Sequence, residues 1–139
     1  MLVQIAKYLD NKGVGIFDEV GTSGTIYISF MPQMPDAVIG IFSTGGAIAD
    51  GKIPYDLPTV QIIVRDTNPA AGFEKGKEIY NLLHGFHHDY FIAGGNWVLN
   101  CRGIQSQPIH IGRDENERHE YSLNFELEIE NYTINREVY

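Results

Sequence analysis

The longest regular alternation of apolar and polar positions runs through residues 121–130, where Tyr121, Leu123, Phe125, Leu127 and Ile129 alternate with Ser122, Asn124, Glu126, Glu128 and Glu130. A period of two puts each set on its own face of a strand, so this segment predicts a half-buried strand with three carboxylates on its open face. Like charges at alternate positions repel, and that face must meet solvent, a basic partner or a lumen. Shorter patterns precede it. Leu2, Ile5, Ala6 and Leu9 fall at helical spacing ahead of Gly13, predicting a short amphipathic helix over residues 2–11. Ile26, Ile28 and Phe30 predict a strand within 25–30, and residues 37–42 form an apolar run, buried on both faces, that is too short for an isolated helix. Val60, Ile62 and Val64 mark a third strand with a polar Arg65-Asp66 end. Trp97, Leu99 and Cys101 mark another, running towards Ile109.

Asn68 can cap a helix and Pro69 suits its first position, while Phe73, Gly76, Tyr80 and Leu83 form a stripe widened by Ile79, Leu82 and Phe86. These predict the principal helix over residues 69–88. Gly72 and Gly76 weaken it by about 1 kcal/mol each relative to Ala, which fits another backbone packed against that face. Three glycines and two prolines predict a long loop over residues 43–58. Residues 94–96 and 112–117 read as turns. The expected order is helix, three strands, helix, two strands.

Composition narrows the possibilities. A hydrophobic fraction of 43% with 12% aromatic residues belongs to a folded chain, and 139 residues fit one domain, 1–139, around one core. A core of that size leaves apolar surface exposed, which favours self-association. The formal charge is −8, both halves are acidic and no basic run occurs, which speaks against tight nucleic-acid binding. Cys101 is the single cysteine, so no disulfide forms within the chain, consistent with synthesis in a reducing cytoplasm. Gln4 and Lys7 interrupt the first apolar stretch, so no signal peptide is expected. No window approaches the roughly 20 apolar residues of a membrane span.

Candidate chemistry is sparse. His84, His87 and His88, followed by Asp89, are residue types that bind zinc or iron, but the spacing lacks the His-Glu-x-x-His pattern, and histidines also suit a helix C-terminus. Asp114-Glu115-Asn116 resembles the start of a calcium loop, yet Arg118, His119 and Phe125 stand where such a loop needs an oxygen ligand, a glycine and a glutamate. Ser43-Thr44-Gly45-Gly46 lacks the Gly-Lys-Ser/Thr of a phosphate loop. Cys101 sits on an apolar strand face, as a buried thiol would. Asp18-Glu19 and the pair Asp66 with Glu74 lie on different elements. Neither catalytic residues, nor a metal, nor a cofactor are expected; a metal-dependent hydrolase using the three histidines is the remote alternative.

Several segments together resemble the minor capsid proteins of phages and prophages of low-GC Gram-positive bacteria, which are related to tail-terminator proteins. They are Phe30-Met31-Pro32-Gln33-Met34-Pro35-Asp36, Thr44-Gly45-Gly46, Leu57-Pro58-Thr59-Val60-Gln61-Ile62-Ile63-Val64-Arg65, Leu82-Leu83-His84-Gly85 and the whole of residues 112–125. Glu117 departs from the pattern, since such sequences often carry a small or glycine-like residue there. The resemblance implies an α/β (α+β) fold, with a mostly antiparallel sheet of about five strands flanked by the short N-terminal helix and the principal helix. It implies a non-enzymatic virion subunit, made in the bacterial host cytoplasm, that forms a homohexameric ring at the head-proximal end of the tail. There it would end tail-tube growth and offer the head-tail joining surface, with the major tail protein and connector proteins as partners. Another head-completion or capsid-associated role is the nearest alternative. In the ring reading, the charged turn with Arg113, Asp114, Glu115, Asn116 and Arg118 contacts partners. Glu126, Glu128 and Glu130 face a channel that DNA crosses without binding tightly.

Overall fold

A computed structural model describes residues 1–136 of the chain. Among these residues the order is α1 (Leu2–Asn11), β1 (Ile26–Ile28), β2 (Val38–Ala47), β3 (Tyr55–Asp66), α2 (Pro69–Leu83), β4 (Asp89–Tyr90), β5 (Trp97–Gly103), β6 (Ile109–Arg113) and β7 (His119–Glu130). One sheet joins the strands in the order β1-β2-β3-β7-β5-β4, and β6 shares an edge of β7 with β5. Only β1 and β2 run parallel among the described pairs. The fold is α+β with a mostly antiparallel sheet. All five patterned strands are present, although the one expected to run from Trp97 towards Ile109 stops at Gly103 and residues 104–108 break it, and the short β4 and β6 join them.

β7 is central because its alternation supplies a continuous apolar face. Leu123, Phe125 and Leu127 are buried and pack with Ile62 and Val64 of β3, Ile5 and Leu9 of α1, and Ile79 and Leu83 of α2 in one core cluster. Each such side chain stabilises the fold by roughly 1.5–3 kcal/mol relative to exposure. The other face of β7 is polar. β2 is buried on both sides from Val38 to Ile41, as the unbroken apolar run implied. Met31 lies over Gly40, where an added Cβ would meet its Cγ at 2.6 Å, so the segment before β2 crosses the sheet face opposite the helices.

Four expectations need correction. β1 ends at Ile28, because Ser29 turns the chain at φ 68, leaving Phe30 47% exposed rather than in line with Ile26 and Ile28. The stretch 43–58 is mostly strand: β2 continues to Ala47, β3 begins at Tyr55, and the connection is only residues 48–54. Gly45 (φ 86) and Gly46 (φ 146) form a bulge where the β2–β3 register shifts, so these glycines bend a strand rather than end it.

The principal helix stops at Leu83, five residues short of the expected end. The His84 ring stacks on Tyr80 at 4.8 Å and its Nδ1 accepts the Gly103 N–H, while the Gly85 N–H donates to the Cys101 carbonyl. Those bonds tie the chain to β5, and Gly85 at φ 83 turns Phe86 back against Tyr8 and Phe91. Finally, the helix glycines face rings, not backbone. An added Cβ would stand 3.0 Å from the Tyr121 ring at Gly72 and 2.7 Å from Pro108 Cγ at Gly76.

Candidate functional site

The charged turn between β6 and β7 is built around one carboxylate. Asp114 Oδ1 accepts the backbone N–H groups of Asn116 and Arg118 at 3.0 and 2.9 Å, and its Oδ2 accepts Arg118 Nε at 2.7 Å. Burial opposes ionisation of Asp114, but the hydrogen bonds from Arg118 and Asn116 outweigh it and hold the carboxyl below its ordinary range. Glu117 occupies the left-handed region at φ 62 and pairs with Arg113 at 2.7 Å. Arg113, Glu115 and Asn116 are exposed. Arg118 is not: it is 2% exposed, and its guanidinium donates to the Gln33 carbonyl and to Gln33 Oε1. Its backbone and guanidinium bonds to Asp114 hold the turn's shape.

Beside it lies a residue that sequence reasoning passed over as a polar strand end. Arg65 is 4% exposed, and its guanidinium donates to the carbonyls of Pro32, Pro35 and Asp36 at 2.6, 2.7 and 3.0 Å. Burial, and then the charge of Arg118, lower its pKa. The signal was present in the chain. A segment with two prolines in four residues has more carbonyls than N–H groups, and a forked guanidinium with five donors is the side chain best able to satisfy them.

The three carboxylates share the polar face of β7, on the side of the sheet away from the helices. Glu126 pairs with Arg102 of β5 at 2.5 Å, Glu128 stands opposite Asn100, and Glu130 stands opposite Tyr55 of β3. Neighbouring positions on this face are also polar. Gln61 Nε2 donates to Ser122 Oγ at 2.9 Å, and the Thr44 and Thr59 hydroxyls lie 2.7 Å apart. The surface is therefore a hydroxyl- and amide-rich plane that becomes acidic towards the end of β7. The turn and the carboxylates occupy opposite ends of that strand, roughly 30 Å apart at its ordinary rise per residue. They do not form one site.

The histidines of the 84–88 segment are dispersed. His84 Nδ1 is occupied by the Gly103 N–H, His87 Nδ1 lies 2.7 Å from the Gly85 carbonyl, and His88 stacks on Trp97. Cys101 is fully buried on β5. No helix among the described residues is long and apolar enough to cross a membrane.

Several exposed apolar side chains stand at strand edges and tips, which the periodicity did not disclose. Ile48 and Ile53 flank the β2–β3 connection at 97% and 38% exposure, and Ile109 and Ile111 stand out from β6 at 41% and 50%. Val20 and Phe30 do the same beside β1.

The family model described as "Bacteriophage tail terminator protein" matches residues 8–131. No curated protein matches the chain. Among solved structures, a chain of a structure described as "Virion of native gene transfer agent (GTA) particle" superposes with a TM-score of 0.67 at 12% sequence identity, covering 94% of this chain and 95% of that chain. At that identity the likeness shows the fold.

Proposed function

The chain belongs to the bacteriophage tail terminator protein family, and is thus a structural virion protein; on that premise we propose that it forms a closed ring at the head-proximal end of a phage tail, ending tube growth and presenting the surface that joins the head. The observation that carries this reading is the division of the sheet between apolar edges and a polar, acidic face. Exposed isoleucines on β6 and at the β2–β3 tip offer contacts for neighbouring copies, and contacts between unlike edges close into rings when the rotation per copy allows it. Six copies are the proposed number. The face bearing Glu126, Glu128 and Glu130 then lines the channel, where carboxylates repel DNA phosphates and let the duplex pass without sticking. Arg113, Glu115 and Asn116, on the turn that Asp114 and Arg118 shape, contact tail-tube or connector proteins. A structural role of this kind needs no catalytic residue or cofactor.

The decisive experiment deletes the chain from a phage genome and measures tails by electron microscopy. Overlong, headless tails are expected. Tails of normal length joined to heads would overturn the terminator reading, and tails of normal length without heads would transfer the protein to a head-completion role. The lumen assignment has its own test. Replacing Glu126, Glu128 and Glu130 together by Lys should slow DNA ejection from assembled particles, and unchanged ejection would place that face elsewhere.

A further inference from the structure

His110 and His119 are nine residues apart in the chain and on different strands, so no motif connects them. The β6–β7 pairing brings their rings together. His110 stands opposite Tyr121 and His119 opposite Arg113, with a register shift between His110 and Gly112. The two histidines are thus diagonal neighbours on one face of an antiparallel pair, a spacing that long or ring side chains bridge. His110 Nε2 lies 3.1 Å from His119 Nδ1. Gly112, at φ 128, adopts a backbone conformation that side-chain-bearing residues rarely take, and it sits within that register shift.

We propose that His110 and His119 form a two-nitrogen binding site for a late first-row divalent ion, of the zinc, nickel or copper type. Two imidazole nitrogens bound about 2.0–2.1 Å from one ion stand roughly 2.9 Å apart at a right angle and about 3.3 Å apart in a tetrahedron. The observed 3.1 Å falls between those values. In the metal-free pair, one ring donates its N–H to the other ring's lone pair. An ion takes the place of that hydrogen; the donor ring changes tautomer, its proton passing by way of solvent to its other nitrogen, so both rings bind as neutral imidazoles and no net proton is released.

The strands keep the two ligands near this geometry: β7 is bonded on its other side to β3, and the His110 ring rests 5.1 Å from that of Tyr121, itself packed on Phe73 of α2. Arg113, the cation nearest in register to His119, is engaged with Glu117. No set of three histidine, cysteine or acidic ligands is assembled among the described residues, so water completes the coordination shell. Imidazole pairs with open positions suit nickel, copper and zinc rather than magnesium or calcium. His110 is exposed, so the site is open to ions from solvent. The 84–88 histidines do not compete on equal terms. His84 has its Nδ1 lone pair taken by the Gly103 N–H, and among the described residues the nitrogen-to-nitrogen contact of 3.1 Å joins His110 and His119, not His87 and His88.

The test titrates untagged full-length protein with nickel chloride, then with zinc chloride, by calorimetry, and follows the thermal midpoint in parallel. One saturable equivalent per chain is expected, with a midpoint that rises with metal concentration because the ion binds the folded state. His110→Ala and His119→Ala should each abolish both effects while folding normally by circular dichroism, since neither ring lies in the core. A double variant, His87→Ala with His88→Ala, should leave them intact. Absence of saturable binding at millimolar metal would overturn the site, as would binding that survives both single variants or disappears in the double variant. None of these readouts depends on ring assembly.

Discussion

Arg65 of β3 and Arg118 at the entrance to β7 hold the same loop from beneath: Arg65 Nη2 donates to the Pro32 and Pro35 carbonyls, and Arg118 Nη1 donates to the Gln33 carbonyl between them. Both guanidiniums are buried, and the charge of Arg118 adds to burial in lowering the Arg65 pKa, yet neither side chain is short of acceptors. The loop covers one face of β2, so these two side chains connect the charged turn to the fold of the sheet.

Truncating Arg118 therefore tests the fold, while truncating Arg113 tests the surface. Arg118→Ala removes a buried cation from several acceptors and should destabilise by about 3 kcal/mol. Arg118→Lys should recover little of this, because an ammonium cannot reproduce the fork. Arg113→Ala breaks one exposed pair and should cost less than about 1 kcal/mol. Urea denaturation of the three variants separates the cases; equal, small losses would show that the buried clamp contributes no more than a surface pair.

Glu117 stands in a left-handed conformation that favours glycine. A residue with a Cβ there is strained by about 1–2 kcal/mol, and the exposed pair with Arg113 offsets only part of that. Glu117→Gly should raise the urea midpoint, by an amount equivalent to up to about 1 kcal/mol after glycine's extra chain entropy. A lower midpoint would mean that the Arg113 pair outweighs the strain.

Gly76→Ala pits two effects against each other. Alanine favours the helix by about 1 kcal/mol, but its Cβ would meet Pro108 Cγ at 2.7 Å. Overpacking of this kind costs about 1–3 kcal/mol, so a net loss is expected by thermal denaturation. A gain in stability would show that the segment carrying Pro108 yields freely.

Burial pushes the Cys101 thiol up to about 12, and the side chain has no exposed surface. The thiolate is the reactive form, so native protein should label with iodoacetamide only as fast as it opens, and at the free-thiol rate in denaturant. Rapid labelling of native protein at neutral pH would require β5 to separate readily from the sheet.

What was legible in the chain was local. The alternation through residues 121–130 placed five side chains in the core, and Asn68-Pro69 marked a helix start whose Asn68 Oδ1 accepts the Ala70 and Ala71 N–H groups. Family membership was legible too, because the segments that carry the resemblance stand in order along the chain. The end of the same helix was not legible: Tyr80, Gly103 and Cys101 terminate it, and two of those belong to another strand. Gly45 and Gly46 marked a change of backbone direction, but only a partner strand could make that change a bulge instead of a loop.

The sequence by itself determined which faces of the strands and helices are apolar, because periods of 2 and 3.6 are properties of one segment of backbone. The tertiary structure alone decided that Arg65 and Arg118 are buried beneath one loop, that the carboxylates face away from the helices beside β5 and β3, and that His110 meets His119. Those relations depend on strand register and on contacts between residues far apart in the chain, which no local period encodes.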